Sequence, residues 1–393
     1  MSMRLKVISP ICLLVLLAPL FSACNSEANY EKVIYSDGTE KVTKTPTIKN
    51  LTKDGKEISI LPEEWMMFYK DSKDVKNIQR HYLPGVELTD PQSVTLRWTI
   101  KDEATNYSFL LADNKGMENA ASYELNQKQI ELKDLFAGTH YYYQIKAIYD
   151  DRTVVSKRYS FKTSDFIRTI KIDGVLNCRD IGNKLTNDGK KRVKQGLIYR
   201  TANFDAVTMR GLEDALDNYG IKTDLDLREP GPTESPLGKE VQYINNGVGI
   251  CGSPYYVSLD TGVNTPEYQE VMKNNLKVLT NKDNFPLAFH CAVGRDRTGT
   301  FAITLLLLLG VKIEQIKQDF ACSFFSRACN TRDIDPEAYI DTMENLFKYY
   351  DHFKANAQSD SIDIYQRIEN YCAYIGLSKD EINSIRNNLL ENV

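Results

Sequence analysis

A cysteine and an arginine six positions apart follow directly on a short apolar run in the C-terminal half of the chain. The segment reads His290-Cys291-Ala292-Val293-Gly294-Arg295-Asp296-Arg297-Thr298. The apolar run predicts a buried strand, the glycine predicts a sharp turn, and the residues after it predict a helix start. Backbone N–H groups and a helix N-terminus would then surround the cysteine and form a nest for a tetrahedral dianion.

The positive field of such a nest determines the chemistry of the segment. The field favours thiolate over thiol, so Cys291 is predicted to be a nucleophile at neutral pH. The planar fork of Arg297 can hold two oxygens of a phosphoryl group during its transfer. His290 is interpreted as a support for the loop rather than as a base, and Thr298 can place a hydroxyl near the sulfur. An ordinary buried cysteine beside a helix start is the alternative interpretation.

The pattern His-Cys-x-x-Gly-x-x-Arg-Thr-Gly resembles the signature of the cysteine-dependent protein tyrosine phosphatase superfamily. Further blocks are similar to those of the bacterial tyrosine phosphatases: Asn-x-Arg-Asp-x-Gly from Asn177, Tyr-Arg-Thr-Ala from Tyr199, Asp-Leu-Arg from Asp226 and a closing helix after Gly376. The resemblance spans residues 167–390. It implies an α/β phosphatase domain, assigned to residues 166–393, whose central and mostly parallel sheet is flanked by helices.

The resemblance implies a phosphate monoester hydrolase, in the first place a protein tyrosine phosphatase or dual-specificity phosphatase with a phosphocysteine intermediate. Its partners would be phosphorylated proteins, phosphorylated small molecules or lipid head groups, and the reaction needs no cofactor and no metal. A phosphoinositide or inositol-phosphate phosphatase with the same mechanism is the alternative, because Arg295 stands where lysine is usual. A non-catalytic phosphate-binding module is the second alternative, which the presence of both Cys291 and Arg297 disfavours.

The leaving oxygen needs a proton, and aspartates are the candidates for the general acid. Asp296 lies inside the loop, in register with the family's Lys-Asp-Arg, and is the first choice. Asp226, near the end of a strand expected beside the nucleophile's strand, is the second. Asp296 could instead only pair with a loop arginine, and Asp226 could only cap a turn. Asp335 and Asp180 are the remaining candidates.

Three further arginines are candidates for substrate binding, namely Arg179, Arg228 and Arg295. Arg179 and Arg228 could border the phosphate site, or they could pair with Asp180 and Asp226, and the sequence leaves this open. Arg295 keeps the positive charge of the usual lysine but changes its shape, which bears on preference for multiply phosphorylated head groups.

The N-terminus is predicted to carry a targeting signal. Arg4 and Lys6 precede an apolar run that ends in Leu20-Phe21-Ser22-Ala23-Cys24, which resembles a bacterial lipoprotein signal over residues 1–23 with Cys24 as the lipidated residue. A plain secretory signal is the alternative. We therefore expect an exported protein, anchored by lipid to a bacterial envelope membrane on its periplasmic or surface face. Residues 24–80 are polar and weakly patterned, and are interpreted as a tether and N-terminal segment.

Residues 81–164 are rich in predicted strands. Val94, Leu96 and Trp98 alternate with polar residues, and a Leu-x-x-Gly-Thr-x-Tyr corner ends at Tyr141. This segment resembles a fibronectin type III domain, an all-β sandwich in which the tryptophan is buried and the corner tyrosine bonds back to the backbone. A generic β-sandwich is the alternative. The net charge of −4 over 393 residues argues against nucleic acid as a general partner.

Overall fold

The computed structural model describes residues 30–71, 74–229, 231–246, 265–353 and 363–393. The predicted signal peptide and the lipidation site Cys24 lie outside these residues. The chain forms two compact units: the described part of the first comprises residues 30–60 with Gln92–Phe166, and the second comprises Leu61–Pro91 with Ile167–Val393. The predicted boundary at residue 80 is therefore wrong, because residues 30–60 belong to the unit of the predicted sandwich and the segment Leu61–Pro91 belongs to the unit of the phosphate loop.

The described part of the first unit is built from strands. They are β1 (Glu31–Tyr35), β2 (Glu40–Thr43), β3 (Ile48–Asn50), β4 (Lys56–Ile58), β5 (Val94–Ile100), β6 (Asn106–Ala112), β7 (Ala121–Leu125), β8 (Gln129–Leu132), β9 (His140–Ile148), β10 (Arg152–Val155) and β11 (Tyr159–Thr163). One sheet has eight strands, with the path β2-β1-β10-β9-β11-β4 and with β6 pairing β7 and β9; the other has the order β3-β5-β8. Side chains from both sheets form one apolar cluster.

Alternation along the strands of the first unit explains this core. Val94, Leu96 and Trp98 of β5 are buried while the residues between them are exposed, as the twofold period of a half-buried strand requires. The Trp98 ring stacks on Phe109 with 6.2 Å between the ring centroids. The hydroxyl of Tyr141 accepts a hydrogen bond of 2.9 Å from the backbone N–H of Phe136, which fixes the corner before β9.

The second unit contains the described helices longer than four residues and the remaining strands. The strands are β12 (Arg168–Thr169), β13 (Arg179–Asp180), β14 (Lys191–Val193), β15 (Ile198–Thr201), β16 (Thr223–Asp226), β17 (Gln242–Asn245), β18 (Leu287–His290) and β19 (Leu390–Asn392). The helices are α1 (Glu63–Asp71), α2 (Met209–Glu213), α3 (Pro266–Val278), α4 (Asp296–Leu308), α5 (Ile313–Ala321), α6 (Pro336–Tyr350), α7 (Ile364–Tyr374) and α8 (Lys379–Leu389). A six-residue 3-10 helix (Val75–Arg80) follows α1, and a π-helical turn (Asp214–Asn218) continues α2.

A six-stranded sheet with the order β12-β13-β15-β18-β16-β17 positions the candidate site. The pairs β15–β18, β18–β16 and β16–β17 are parallel, whereas β12–β13 and β13–β15 are antiparallel. In the register of the parallel strands, His290 lies between Thr201 and Asp226. All three residues end their strands, so the loops that follow them meet at one edge of the sheet.

Helix α4 follows the loop after β18, and eleven of its thirteen residues are buried. It begins at Asp296, two residues after the turn at Gly294. A helix that is apolar all round lies inside a domain, so α4 is the central buried helix. Within the described residues, the structure contains no helix that is both long enough and apolar enough to cross a bilayer.

The segment Leu61–Pro91 covers the chain after α5. The Trp65 ring stacks on Phe325 with centroids 4.6 Å apart, and its indole N–H donates to Leu88 O at 2.8 Å. The Glu87 carboxylate accepts from the Ser326 hydroxyl at 2.9 Å and from the Arg327 N–H at 3.0 Å. Aromatic burial and a satisfied carboxylate thus fix this segment to the phosphate-loop unit.

Candidate active site

The candidate nucleophile lies where a fully buried strand meets a buried helix. All four residues of β18 are buried, and Cys291 directly after them is 2 % exposed. The loop then runs to Arg295, and α4 starts at Asp296. The free N–H groups of the first helical turn and the positive end of the helix dipole therefore face the end of this loop.

Gly294 allows the loop to lie against the end of β15. Its φ is +73°, and a Cβ at this position would come within 2.4 Å of Thr201 O and 2.9 Å of Ala202 N. Only a residue without a side chain combines this left-handed conformation with so close an approach of two backbones.

We expect the substitution Gly294→Ala to lower the free energy of unfolding by about 3 kcal/mol and turnover about 100-fold, because the loop must move away from β15. Gly189 is the matched control: its φ is +69°, but a Cβ there would meet nothing within 4 Å. Gly189→Ala should cost about 1 kcal/mol for the backbone conformation alone and leave turnover unchanged. Urea unfolding and steady-state kinetics of both variants measure the difference; equal effects would contradict the role of the close approach.

Two asparagines outside the loop bind its carbonyl groups. Asn203 donates to Ala292 O through its side chain at 2.7 Å and through its backbone N–H at 3.2 Å. The Asn177 side chain donates to Val293 O at 2.9 Å. The sequence analysis did not assign either contact. Asn177 was visible as the first residue of a motif, whereas nothing in the pattern around Asn203 points to the loop.

His290 is a buried link between two aspartates. Its Nε2 lies 2.8 Å from Asp224 Oδ1 and its Nδ1 lies 3.7 Å from Asp226 Oδ1. Asp224 also accepts a hydrogen bond of 2.6 Å from the Ser235 hydroxyl. Burial acts to lower the pKa of His290, but the hydrogen bond to Asp224 and the charges of the two carboxylates outweigh it and raise the pKa above its ordinary value. The ring is therefore fixed between the two carboxylates at the end of β18.

Arg297 lies in the first turn of α4 and reaches the same edge of the sheet. Its Nη1 donates to Leu227 O at 3.4 Å, while the Leu227 N–H donates to His290 O at 2.8 Å. The Arg297 guanidinium is thus bound to Leu227, and Leu227 is bound to His290, which directly precedes Cys291. Thr298 is buried, and its hydroxyl has no hydrogen-bond partner within the described part of the chain.

Asp226 is held as a carboxylate by its surroundings. It accepts hydrogen bonds from the backbone N–H of Arg228 at 2.8 Å, from the Arg228 guanidinium at 2.8–3.0 Å and from the Tyr243 hydroxyl at 3.2 Å. Burial acts to raise the pKa of Asp226, but these bonds and the nearby His290 outweigh it and lower the pKa below its ordinary value. Capping of the turn after β16 is the role that the structure supports for Asp226, and its candidacy as general acid stays a prediction.

Asp296 and Arg295 form an ion pair within the loop. Arg295 Nε lies 2.9 Å from Asp296 Oδ1, and Nη2 lies 3.3 Å from Oδ2. The Arg295 guanidinium is stacked on the Tyr339 ring of α6 at 3.6 Å from its centroid, and the residue is only 5 % exposed. The structure therefore contradicts Arg295 as a substrate contact, because its fork is already engaged, whereas the Asp296 side chain keeps 31 % of its surface exposed.

The other candidate residues have structural partners. Arg179 is fully buried and binds Asp319 rather than Asp180, so its candidacy for substrate binding is wrong. Arg228 pairs with Asp226 at 2.8 Å and with Asp205 at 2.6 Å, which is the alternative role considered for it.

The two remaining general-acid candidates are also engaged. Asp180 is buried and accepts from the N–H groups of Gly182 and Gly196 at 2.7 and 2.6 Å. Asp335 caps the start of α6 by accepting from Glu337 N at 3.0 Å. Both carboxylates therefore have structural roles.

The sequence profile of the tyrosine phosphatase family matches residues 170–391, more than half of the chain. The chain belongs to the tyrosine phosphatase family. The match begins directly after β12 in the second unit and ends in β19, so the family assignment covers five of the six strands of the sheet that positions the loop.

Two curated relatives are bacterial. A Cupriavidus necator protein, named provisionally as a tyrosine-protein phosphatase, is 29% identical to this tyrosine phosphatase family member over 38% of the chain and 61% of the relative. The tyrosine-protein phosphatase of Nostoc commune is 27% identical over 35% of the chain and 52% of the relative. The chain thus spans less than two thirds of the length of these curated relatives.

Two solved structures are similar over part of the chain. The catalytic core of Siw14 matches with 14% identity and a TM-score of 0.28, over 46% of this chain and 90% of that one. The core catalytic domain of the PP-IP phosphatase SIW14 from S. cerevisiae, in complex with citrate, matches with 18% identity and a TM-score of 0.26, over 37% and 79%.

Proposed function

We propose that this member of the tyrosine phosphatase family hydrolyses phosphate monoesters, with phosphotyrosine in proteins as the first substrate class, through a phosphocysteine intermediate. One observation carries the proposal. Cys291 and Arg297, at the two ends of a loop between a buried strand and a buried helix, are both tied to the carboxyl edge of the sheet, the sulfur through the backbone and the guanidinium through Leu227 O.

The proposed reaction has two steps. The Cys291 thiolate attacks phosphorus, the bond to the leaving oxygen breaks, and that oxygen takes a proton from the general acid. Arg297 and the loop N–H groups hold the equatorial oxygens of the phosphoryl group while its charge shifts. Water then attacks the phosphocysteine and gives up a proton to the carboxylate that the general acid has become. Inorganic phosphate leaves and the thiolate is restored.

Asp296 is the proposed general acid, since its side chain keeps 31 % of its surface exposed although it pairs with Arg295, whereas Asp226 is buried and held as a carboxylate by its hydrogen bonds. We expect Asp296→Asn to slow hydrolysis of phenyl phosphate about 100-fold but to slow p-nitrophenyl phosphate far less, because the nitrophenolate leaves without a proton. Asp226→Asn is the matched comparison: it should slow both substrates by the same factor, since its effect is on the turn after β16. Single-turnover rates with both esters measure this, and an equal effect of Asp296→Asn on the two would rule out its role.

Two features favour phosphotyrosine over inositol phosphates as the substrate class. The family is named for tyrosine phosphatases, and Arg295, whose charge motivated the inositol alternative, is occupied by Asp296 and Tyr339. A pocket for several phosphates needs unpaired cations around the loop. The non-catalytic alternative is disfavoured because both the nucleophile and the arginine are present in register.

The proposal is tested by trapping the intermediate. The purified chain is mixed with a phosphotyrosine peptide, quenched in acid and digested, and the peptide that contains Cys291 is examined by mass spectrometry for an added phosphoryl group. We expect the phosphoryl group on Cys291 and release of inorganic phosphate. A parallel reaction with inositol hexakisphosphate and with phosphoinositide vesicles distinguishes the substrate classes. Faster turnover of either compound than of the peptide would make that compound the better model of the substrate. Absence of a phosphoryl group on Cys291 with every substrate would overturn the proposal.

We further propose that the chain is exported and anchored by lipid at Cys24, and that its first unit is a fibronectin type III-like domain. The lipoprotein-like run before Cys24 supports the first statement, and buried Trp98 with the Tyr141 corner supports the second. Metabolic labelling with a fatty acid, with Cys24→Ser as the control, tests the anchor. Labelling of both forms would contradict it.

A further inference from the structure

Three cations surround one carboxylate beneath the phosphate loop. Asp319 of α5 lies 3.3 Å from Arg179 Nε and 3.3 Å from Lys184 Nζ, and it also pairs with Arg200. All four side chains are at most 3 % exposed. Excess buried charge is costly and needs compensation. This group, called here the Asp319 cluster, therefore calls for an explanation beyond stability.

The pKa values of the cluster follow from burial and from these pairs. Burial acts to raise the pKa of Asp319, but the three cations outweigh it and hold the pKa far below its ordinary value. Burial and the neighbouring Arg179 lower the pKa of Arg200 to about 10. Asp319 and Arg200 are thus charged at neutral pH. With three cationic side chains around one carboxylate, the cluster carries surplus positive charge.

The cluster is bonded to two consecutive carbonyl groups of the phosphate loop. Arg200 Nη2 donates to Gly294 O at 2.9 Å. Arg179 Nη1 donates to Asn177 Oδ1 at 2.5 Å, and the Asn177 amide donates to Val293 O at 2.9 Å. The Ser323 hydroxyl is shared by both arginines at 2.9 and 3.4 Å. The cluster therefore holds the loop from below through one direct and one relayed contact.

The geometry of the peptide bond turns these contacts into an orientation of the loop N–H groups. In a trans peptide the C=O and the next N–H point in opposite directions. Carbonyls of Val293 and Gly294 that are drawn towards the cluster thus turn the N–H groups of Gly294 and Arg295 away from it. Successive N–H groups with a common direction form an anion nest.

On the proposed function, we propose that Asp319, Arg179 and Arg200 are positioning residues that act on the nucleophile's loop in two ways. They orient two N–H groups towards the phosphoryl site, and their surplus positive charge stabilises the Cys291 thiolate and the bound dianion. None of the three needs to touch the substrate.

Three variants separate charge from geometry. Arg200→Met removes both a cation and the tie to Gly294 O. Asn177→Gly removes the hydrogen bond to Val293 O but no cation. Glycine also retains the left-handed backbone, whose φ is 55° at this position. Arg168→Met is the matched control, because Arg168 is an equally buried arginine paired with Asp180 at 3.2 Å. The variants leave in place the other titratable groups beside the loop and the cluster, namely Tyr69, Asp180, Asp224, Asp226, His290, Arg295, Asp296, Arg297, Cys322 and Cys329.

The readout is the rate of alkylation of Cys291 by iodoacetamide as a function of pH, followed on its peptide by mass spectrometry. Inhibition by inorganic phosphate is measured alongside. For Arg200→Met we expect the alkylation profile to move about one unit towards higher pH and phosphate binding to weaken about tenfold. For Asn177→Gly we expect weaker phosphate binding with an unmoved profile, and for Arg168→Met no change in either.

An unmoved profile in folded Arg200→Met, with folding checked by circular dichroism, would overturn the proposal. If that variant does not fold, Arg200→Lys decides: the retained charge should leave the profile in place, while one ammonium group that replaces the fork should weaken phosphate binding. A profile that moves in Arg200→Lys contradicts the electrostatic role. Because neither readout uses a substrate, failure of this inference is distinct from failure of the phosphatase proposal, which the trapping experiment decides.

Discussion

Cys291→Ser is expected to abolish turnover, with a loss of at least about four orders of magnitude for an aryl phosphate. The substitution places an oxygen at nearly the position of the sulfur. A serine hydroxyl forms no anion comparable with the thiolate, and no base lies beside it. His290 cannot serve as that base, because its ring is bound to Asp224 and Asp226. The variant should still bind inorganic phosphate, since the loop N–H groups and Arg297 are unchanged.

Steady-state kinetics and phosphate binding of Cys291→Ser check this expectation. Cys372→Ala is the control, since Cys372 is a buried thiol of α7 whose pKa burial raises to about 12, so that it stays protonated. It should keep its activity. Residual turnover of Cys291→Ser above about one percent would show that another group carries the reaction.

Arg297→Lys is expected to lower kcat about 1,000-fold. Lysine retains the charge, yet it cannot hold two phosphoryl oxygens in one plane and at the same time donate to Leu227 O, as the guanidinium does at 3.4 Å in the free protein. The loss should fall mainly on kcat, because the planar contact improves as the phosphoryl group flattens in the transition state.

The Arg297→Lys variant is compared with Arg332→Lys, an exposed arginine of the same unit, which should leave both kinetic constants unchanged. Burst kinetics of each variant separate formation of phosphocysteine from its hydrolysis. A change in KM alone for Arg297→Lys would mean that the arginine binds the ground state and transition state equally, which would contradict its proposed role.

The local pattern predicted much of the loop because its residues are neighbours in the sequence. The strand before Cys291, the turn at Gly294 and the buried helix that follows the turn all agree with the apolar runs and the one glycine of the sequence. The resemblance to a fibronectin type III domain implied Trp98 as a buried residue and Tyr141 as a corner residue. Each of these features depends on the order of residues within about ten positions.

Contacts between distant residues could not be predicted in this way. Arg179 lies 140 positions from Asp319, and nothing in a single sequence indicates that the two meet. Arg295 has an adjacent aspartate, but its stacking on Tyr339 depends on how α6 packs. The wrong expectations for Arg179 and Arg295 thus share one cause: an arginine near a phosphate-binding pattern was interpreted from its charge, whereas its partner decides its role.

The segment Leu61–Pro91 determines where the two units of this protein can be separated. Trp65, which stacks on Phe325, precedes most of the first unit in the sequence. A truncated chain that starts at residue 166 would therefore lack the ring that covers Phe325 and the carboxylate that accepts from Ser326. Neither unit is therefore a single continuous stretch of sequence that can be removed or exchanged with one cut. Recombination or proteolysis that separates them cleanly must cut the polypeptide at two places, near residues 60 and 92, as well as at 166.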